Sequence, residues 1–226
     1  MNYVQIIKKL KSMSNPKNVE GMARFGITPK SKILGISIWE LRKLKKEIDT
    51  NSASSADRHE LAQKLWASGI HEARILASFI EDPEKVTEKQ LDRWVKDFDS
   101  WDIVDQVSEL IAHTSYVVKK IHEWSNHDGE FVKRAAFSLI AELAWWEKKM
   151  RDKDFEQFYP IIKRGATDER NFVKKAVNWA LRQIGKRNKN LRKEAIKLAN
   201  EIQKIDNKSA KWIAKDALKE LSRKRL

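Results

Sequence analysis

Three stretches of this chain repeat one another at a helical period, and this constrains its fold more than any other feature. FVKRAAFSLIAEL, from Phe131 to Leu143, aligns with FVKKAVNWALRQI, from Phe172 to Ile184. AKWIAKDALKEL, from Ala210 to Leu221, follows the same pattern more weakly. The offsets, about 37 to 41 residues, lie near the period of two-helix HEAT-type repeats. Such units bury an apolar stripe against their neighbours and leave one set of helices lining a concave surface. The expected fold is therefore all-α, a HEAT-like helical repeat solenoid with a concave basic face.

The rest of the chain agrees with helices. Only 7 Gly and 4 Pro are spread over 226 residues, and no stretch alternates as a strand would. Capping boxes are expected at Ser37-Ile38-Trp39-Glu40 and at Thr87-Glu88-Lys89-Gln90, because a hydroxyl and a side chain three residues on can satisfy each other's backbone N–H groups. Pro83 follows an expected helix end at Asp82. Asn51-Ser52-Ala53-Ser54-Ser55 has linker composition, yet the helical pattern resumes at once. One domain over residues 1–226 is expected, with N-terminal helices to about residue 50 and repeats from about residue 57.

Several function classes fall away. No stretch approaches the ~20 apolar residues that span a bilayer, and the first residues resemble an amphipathic helix rather than a secretory signal. The chain has no Cys, so disulfides, thiolate metal sites and Cys nucleophiles are excluded. Its 5 His residues form no metal-binding pattern. The formal net charge of +14 points to a polyanionic partner. Charge alone does not choose among nucleic acid, an anionic membrane surface and a generally lysine-rich composition. A cytoplasmic location, in a prokaryotic nucleoid when bound, fits this pattern.

Placement on the helices decides more, at about 100° per residue. Val173, Ala176, Val177, Ala180, Leu181 and Ile184 form one stripe. Lys175, Trp179 and Arg182 lie far round the helix from it, with Phe172 beside Trp179. Arg134 opposes the stripe of Val132, Ala136, Leu139, Ile140 and Leu143, and Arg74 opposes Ile75, Leu76, Phe79 and Ile80. Trp212 with Lys208, Lys215 and Lys219 opposes the last stripe. One helix differs. Trp101 and Asp105 share the face opposite Ile103, Val104, Val107, Leu110 and Ile111. A carboxylate beside an indole therefore stands where other repeats carry cations. Plainer readings stay open. The off-stripe tryptophans can pack on neighbours, Asp105 can pair with Arg134 or Arg182, and the lysines can form a solvated face. Trp66, Trp145 and Trp146 are expected to be structural.

Ser100-Trp101-Asp102-Ile103-Val104-Asp105, then Phe131-Val132-Lys133-Arg134-Ala135-Ala136, then the segment from Phe172 to Arg182 carry a resemblance to a known family. They resemble the DNA alkylation repair family, the AlkD-like HEAT-repeat DNA glycosylases. Met22-Ala23-Arg24-Phe25, Leu34-Gly35-Ile36 and Glu40-Leu41-Arg42 resemble it too, and the likeness runs from about residue 15 to 205. The resemblance implies hydrolysis of the N-glycosidic bond of cationic alkylated purines, N3-methyladenine and N7-methylguanine, in duplex DNA. It implies no deep base-flipping pocket, no metal and no organic cofactor. It implies Asp105 as catalytic carboxylate with Trp101 and Trp179, and Arg134 as a phosphate contact with Arg182 as companion. Lys175, Phe172 and Arg74 complete the expected DNA contacts. A monomer is expected. Phe25 stands where members often carry Tyr, and one Trp precedes Asp102 where some members have two.

Two alternatives remain at this stage. One is a DNA-binding relative without catalysis. The other, less favoured, is a HEAT-type scaffold for an acidic protein or an RNA.

Overall fold

The computed structural model describes residues 1–50 and 54–223. Of the expected linker, Asn51, Ser52 and Ala53 lie outside the described residues. Ser54 is not linker but the cap of a helix: its Oγ accepts from the Asp57 N–H at 3.1 Å, and Asp57 Oδ2 accepts from the Ser54 N–H at 3.0 Å. The described residues form fourteen α-helices and one 3₁₀ turn, with no strand beyond a single Lys32–Ile70 bridge. They fall into two compact units, Met1–Thr114 and Ser115–Leu226.

The first unit holds α1 (Tyr3–Ser12), α2 (Pro16–Arg24), α3 (Ile38–Thr50), α4 (Ser55–Ala67), α5 (His71–Ile80), α6 (Glu88–Trp94), the 3₁₀ turn Val95–Asp97 and α7 (Trp101–Ile111). The Ser37 box forms as expected: Glu40 Oε2 accepts from the Ser37 N–H at 3.0 Å, and Ser37 Oγ accepts from the Glu40 N–H. The Thr87 box forms by half. Thr87 Oγ1 accepts from the Gln90 N–H, but the Gln90 amide turns away and donates to Glu81 at 2.8 Å. The buried Glu81 carboxylate offers Gln90 a stronger, charge-assisted partner than a backbone N–H does. Helix α5 is the axis of this unit and packs on α3, α4 and α7. It ends at Ile80, two residues before Asp82-Pro83.

The second unit holds α8 (Val117–Trp124), α9 (Glu130–Trp146), α10 (Asp152–Glu156), α11 (Tyr159–Gly165), α12 (Asn171–Lys186), α13 (Lys189–Gln203) and α14 (Lys208–Leu221). The three repeated stretches are α9, α12 and α14, and they pack in sequence order. Each has a partner before it in the chain: α8 for α9, α11 for α12, α13 for α14. This is the two-helix repeat that the sequence period implies. The expected stripe on α12 is fully buried, from Val173 to Ile184.

The period is also written in the polar contacts. Lys163–Glu201, Asn178–Asp216 and Arg182–Glu220 each join residues 38 apart, and so does the bond from Arg134 to the carbonyl of Phe172. A helix stacked on its counterpart meets the same register one repeat later. Lys133 serves the same unit by pairing with Asp168 at 3.1 Å. Burial works to raise the Asp168 carboxyl, but Arg170 and Lys133 hold it down at about 2. One close approach demands glycine. A Cβ on Gly165 would stand 2.3 Å from the ring of the fully buried Phe137.

Candidate active site

The tip of α7 is built by a buried polar cluster that sequence periodicity does not reveal. His71, at the start of α5, is fully buried, and its Nε2 lies 2.8 Å from Asp102 Oδ2. Ser100 Oγ donates to the other Asp102 oxygen. Burial pulls the His71 imidazole down, yet the bond and charge of Asp102, helped by Glu72 and Asp99, lift it above its ordinary value. Burial pushes Asp102 up, but His71 and Ser100 hold it below the usual carboxylate range. The only sequence signal was a His-Glu pair at the head of an otherwise apolar helix. A polar pair there requires partners.

Glu72, the second member of that pair, organises the segment between α2 and α3. Its buried carboxylate accepts from the N–H groups of Leu34, Gly35 and Ile36, at 2.9, 2.6 and 3.3 Å. Gly35 has φ of +80°, and a Cβ there would lie 2.2 Å from the Asn15 carbonyl oxygen, so only glycine fits. Asp99 Oδ2 accepts from the N–H groups of Lys30 and Ser31. Two carboxylates and the backbone thus fasten this segment to α5 and to the residues before α7.

Trp101 opens α7 on that support. Its Nε1 donates to the carbonyl of Phe25 at 3.0 Å, which fixes the edge of the indole. Asp105 follows one turn later, and both side chains are half-buried. The pair sits as the helical wheel predicts, on the face away from the buried Ile103, Val104 and Val107. The Phe25 side chain is 76% exposed; at this position its carbonyl, not a side-chain hydroxyl, makes the contact.

The expected cations depart from the wheel. Arg74 is not directed to solvent. Its guanidinium lies 3.2 Å from Asp97 and 5.6 Å from the centre of the Trp66 ring, in a cluster where Trp66 and Trp94 stack at 4.0 Å. This corrects the expectation of Arg74 as an open DNA contact and bears out Trp66 as structural. Arg134 is not opposed to the core either. It is 6% exposed, and its guanidinium donates to the Phe172 carbonyl at 2.7 Å. The physical reason is that α9 packs on both α8 and α12, so few of its side chains escape burial.

On α12 the expected residues share a face with mixed fates. Lys175 is exposed, and Trp179 and Phe172 are half-buried, the latter with its ring 5.6 Å from Phe131. Arg182 pairs with Glu220 and lies 3.9 Å from Asp216, both on α14. Burial works to raise Glu220, but Lys186 and Arg182 hold it below its ordinary value. Trp145 and Trp146 are 56% and 48% exposed. They lie in the last turn of α9, just past the buried Ala144, and this corrects their expected structural role. Trp212 is 41% exposed, with Lys174 Nζ 5.1 Å from its ring centre.

The pattern of the family described as DNA alkylation repair enzyme matches residues 6–221, nearly the whole chain. The chain belongs to the DNA alkylation repair enzyme family. No curated protein matches it closely enough to count as a relative. Among solved structures it is similar to one described as "a new family of proteins related to the HEAT-like repeat DNA glycosylases with affinity for branched DNA structures". That protein is 20% identical, with 100% of this chain and 96% of the other covered, at a TM-score of 0.79. A designed armadillo repeat protein in complex with the peptide (KR)4 is 17% identical over 80% of this chain and 91% of its own, at a TM-score of 0.37. The HEAT-like fold of the DNA alkylation repair family is thus the fold of this chain.

Proposed function

We propose that this family member is a monofunctional DNA glycosylase that releases cationic alkylated purines, N3-methyladenine and N7-methylguanine, from duplex DNA. The observation that carries this reading is the placement of Trp101 and Asp105. An indole held by its edge and a half-buried carboxylate stand one turn apart on α7, in a chain of net charge +14.

The chemistry asks for little more. A purine alkylated at N3 or N7 is already cationic. When its C1′–N bond breaks, the bonding pair leaves with the base, which departs neutral, and positive charge builds on the sugar. The Asp105 carboxylate stabilises that charge and orients a water molecule, whose oxygen joins C1′ as its proton passes to Asp105 or to solvent. The Trp101 ring offers a negative face to the cation. The family resemblance adds Trp179 to the same task, and Phe172, Lys175 and Arg182 to the holding of DNA, while the buried Arg134 supports Phe172 from within. Lys175 suits phosphate contact best because it is exposed. No Schiff-base lysine is required, so strand cleavage is not expected.

A second reading, DNA binding without cleavage, rests on the likeness to one solved structure. The solved structure described as having affinity for branched DNA lends this reading its substrate class.

The test is release of free N7-methylguanine from methylated duplex DNA. The native protein is expected to release it, and Asp105→Asn to retain DNA affinity but lose release. Full activity in Asp105→Asn removes the assignment of that carboxylate. No release by the native protein favours the second reading.

A further inference from the structure

The first unit contains a cleft of about 430 Å³ between α3, α5 and α7, apart from the Trp101–Asp105 pair. Its lining includes Arg42 and Lys46 from α3, Phe79 from α5, and Gln106 and Glu109 from α7. The size falls within the ~300–1,000 Å³ common for small-ligand sites. We propose that this cleft is a nucleotide-binding site that takes one unstacked nucleotide, its base against Phe79 and its phosphate on Lys46 and Arg42.

The combination of groups selects this chemistry. Phe79 offers a ring beside the Arg42 guanidinium, which stands 5.7 Å from the ring centre. A flat aromatic ligand gains by stacking on that ring. Lys46 is exposed and open to a phosphate, and Arg42, exposed but paired with Glu109, adds positive charge beside it. Glu109, 3.6 Å from Arg42, argues against a plain anion. A carboxylate repels phosphate or an acidic peptide but accepts N–H groups. Gln106 Oε1 is a buried acceptor with no hydrogen-bond partner. Buried acceptors of that kind call for a donor. Two acceptors, one aromatic face and two cations together match a base with an exocyclic amino group, joined to a phosphate. Guanine presents two adjacent N–H donor groups on its pairing edge, where thymine presents one. The cleft should therefore prefer dGMP to dTMP.

Two sources share this chemistry: a free mononucleotide, and an extrahelical nucleotide within a DNA strand. The experiment titrates the full chain with dGMP, dTMP and inorganic phosphate by NMR. In parallel, it compares affinity for a duplex carrying one bulged guanine with affinity for the fully paired duplex. Saturable dGMP binding near the millimolar range is expected, several-fold tighter than dTMP. Phe79→Leu and Lys46→Glu should each weaken it at least about fivefold, roughly 1 kcal/mol. Asp105→Asn should leave it unchanged, which separates this site from the proposed cleavage site. A bulge preference erased by Phe79→Leu identifies a strand nucleotide as the ligand, and dGMP binding without a bulge preference identifies a free one. Thermal melting confirms that each variant is folded. The proposal is overturned if neither dGMP nor the bulge is bound selectively. It is equally overturned if phosphate displaces dGMP at the same concentration while folded Phe79→Leu binds like the native chain.

Discussion

His71 Nε2 and Asp102 Oδ2 meet at 2.8 Å, both residues buried, where α5 supports the start of α7. The imidazole is raised above its ordinary value, after burial alone would lower it, chiefly because Asp102 bonds to it. Its contribution to stability is therefore complete below the unfolded His value of about 6.5 and lost as pH rises through the higher folded value. Asp102 is held low, so its contribution is present above about 3.9 and lost as pH falls through its folded value. The pair stabilises most between about pH 4 and 6.5. The melting temperature should fall as pH is raised from about 6 to 8.5, and His71→Gln should flatten that slope. Equal slopes in the two proteins would contradict this account.

Glu72 should be costly to remove. Its carboxylate satisfies three buried N–H groups at Leu34, Gly35 and Ile36, and truncation leaves them without acceptor or water. Glu72→Ala is expected to lose about 3 kcal/mol in urea unfolding, and Glu72→Gln less, because an amide oxygen still accepts. A loss under about 0.5 kcal/mol for Glu72→Ala would show that the segment does not depend on it.

Gly165→Ala tests the close packing of the second unit. The added methyl would meet the ring of Phe137, which is fully buried. A destabilisation of about 1–3 kcal/mol is expected. Phe137→Leu in the same chain should recover part of it, a coupling that a double-mutant cycle measures.

Arg134 and Lys175 should separate stability from DNA contact. Arg134→Ala removes a buried guanidinium and its bond to the Phe172 carbonyl, so about 1–3 kcal/mol of folding stability should be lost in the absence of DNA. Lys175 is exposed, so Lys175→Ala should leave folding unchanged. If it touches a phosphate, the slope of log affinity against log salt falls by about one. An unchanged slope would remove Lys175 from the interface.

The sequence by itself determined the helices, their order and the repeat. Apolar residues recurring every three or four positions, Ser37 before Glu40, and the recurrence of Phe131-Val132-Lys133 at Phe172-Val173-Lys174 are local signals, and local physics reads them. The Trp101–Asp105 face was legible for the same reason, since one turn of helix fixes their spacing. Tertiary structure alone decided what meets the polar faces. Arg182 finds Glu220, Arg134 finds the Phe172 carbonyl, Arg74 finds Asp97, and His71 finds Asp102. Each of these partners is 23 to 38 residues away, on another turn or helix. Periodicity states which side of a helix avoids water. It carries no information about which neighbour packs against the other side, and that neighbour decides whether a cation is spent within the fold or left open to DNA.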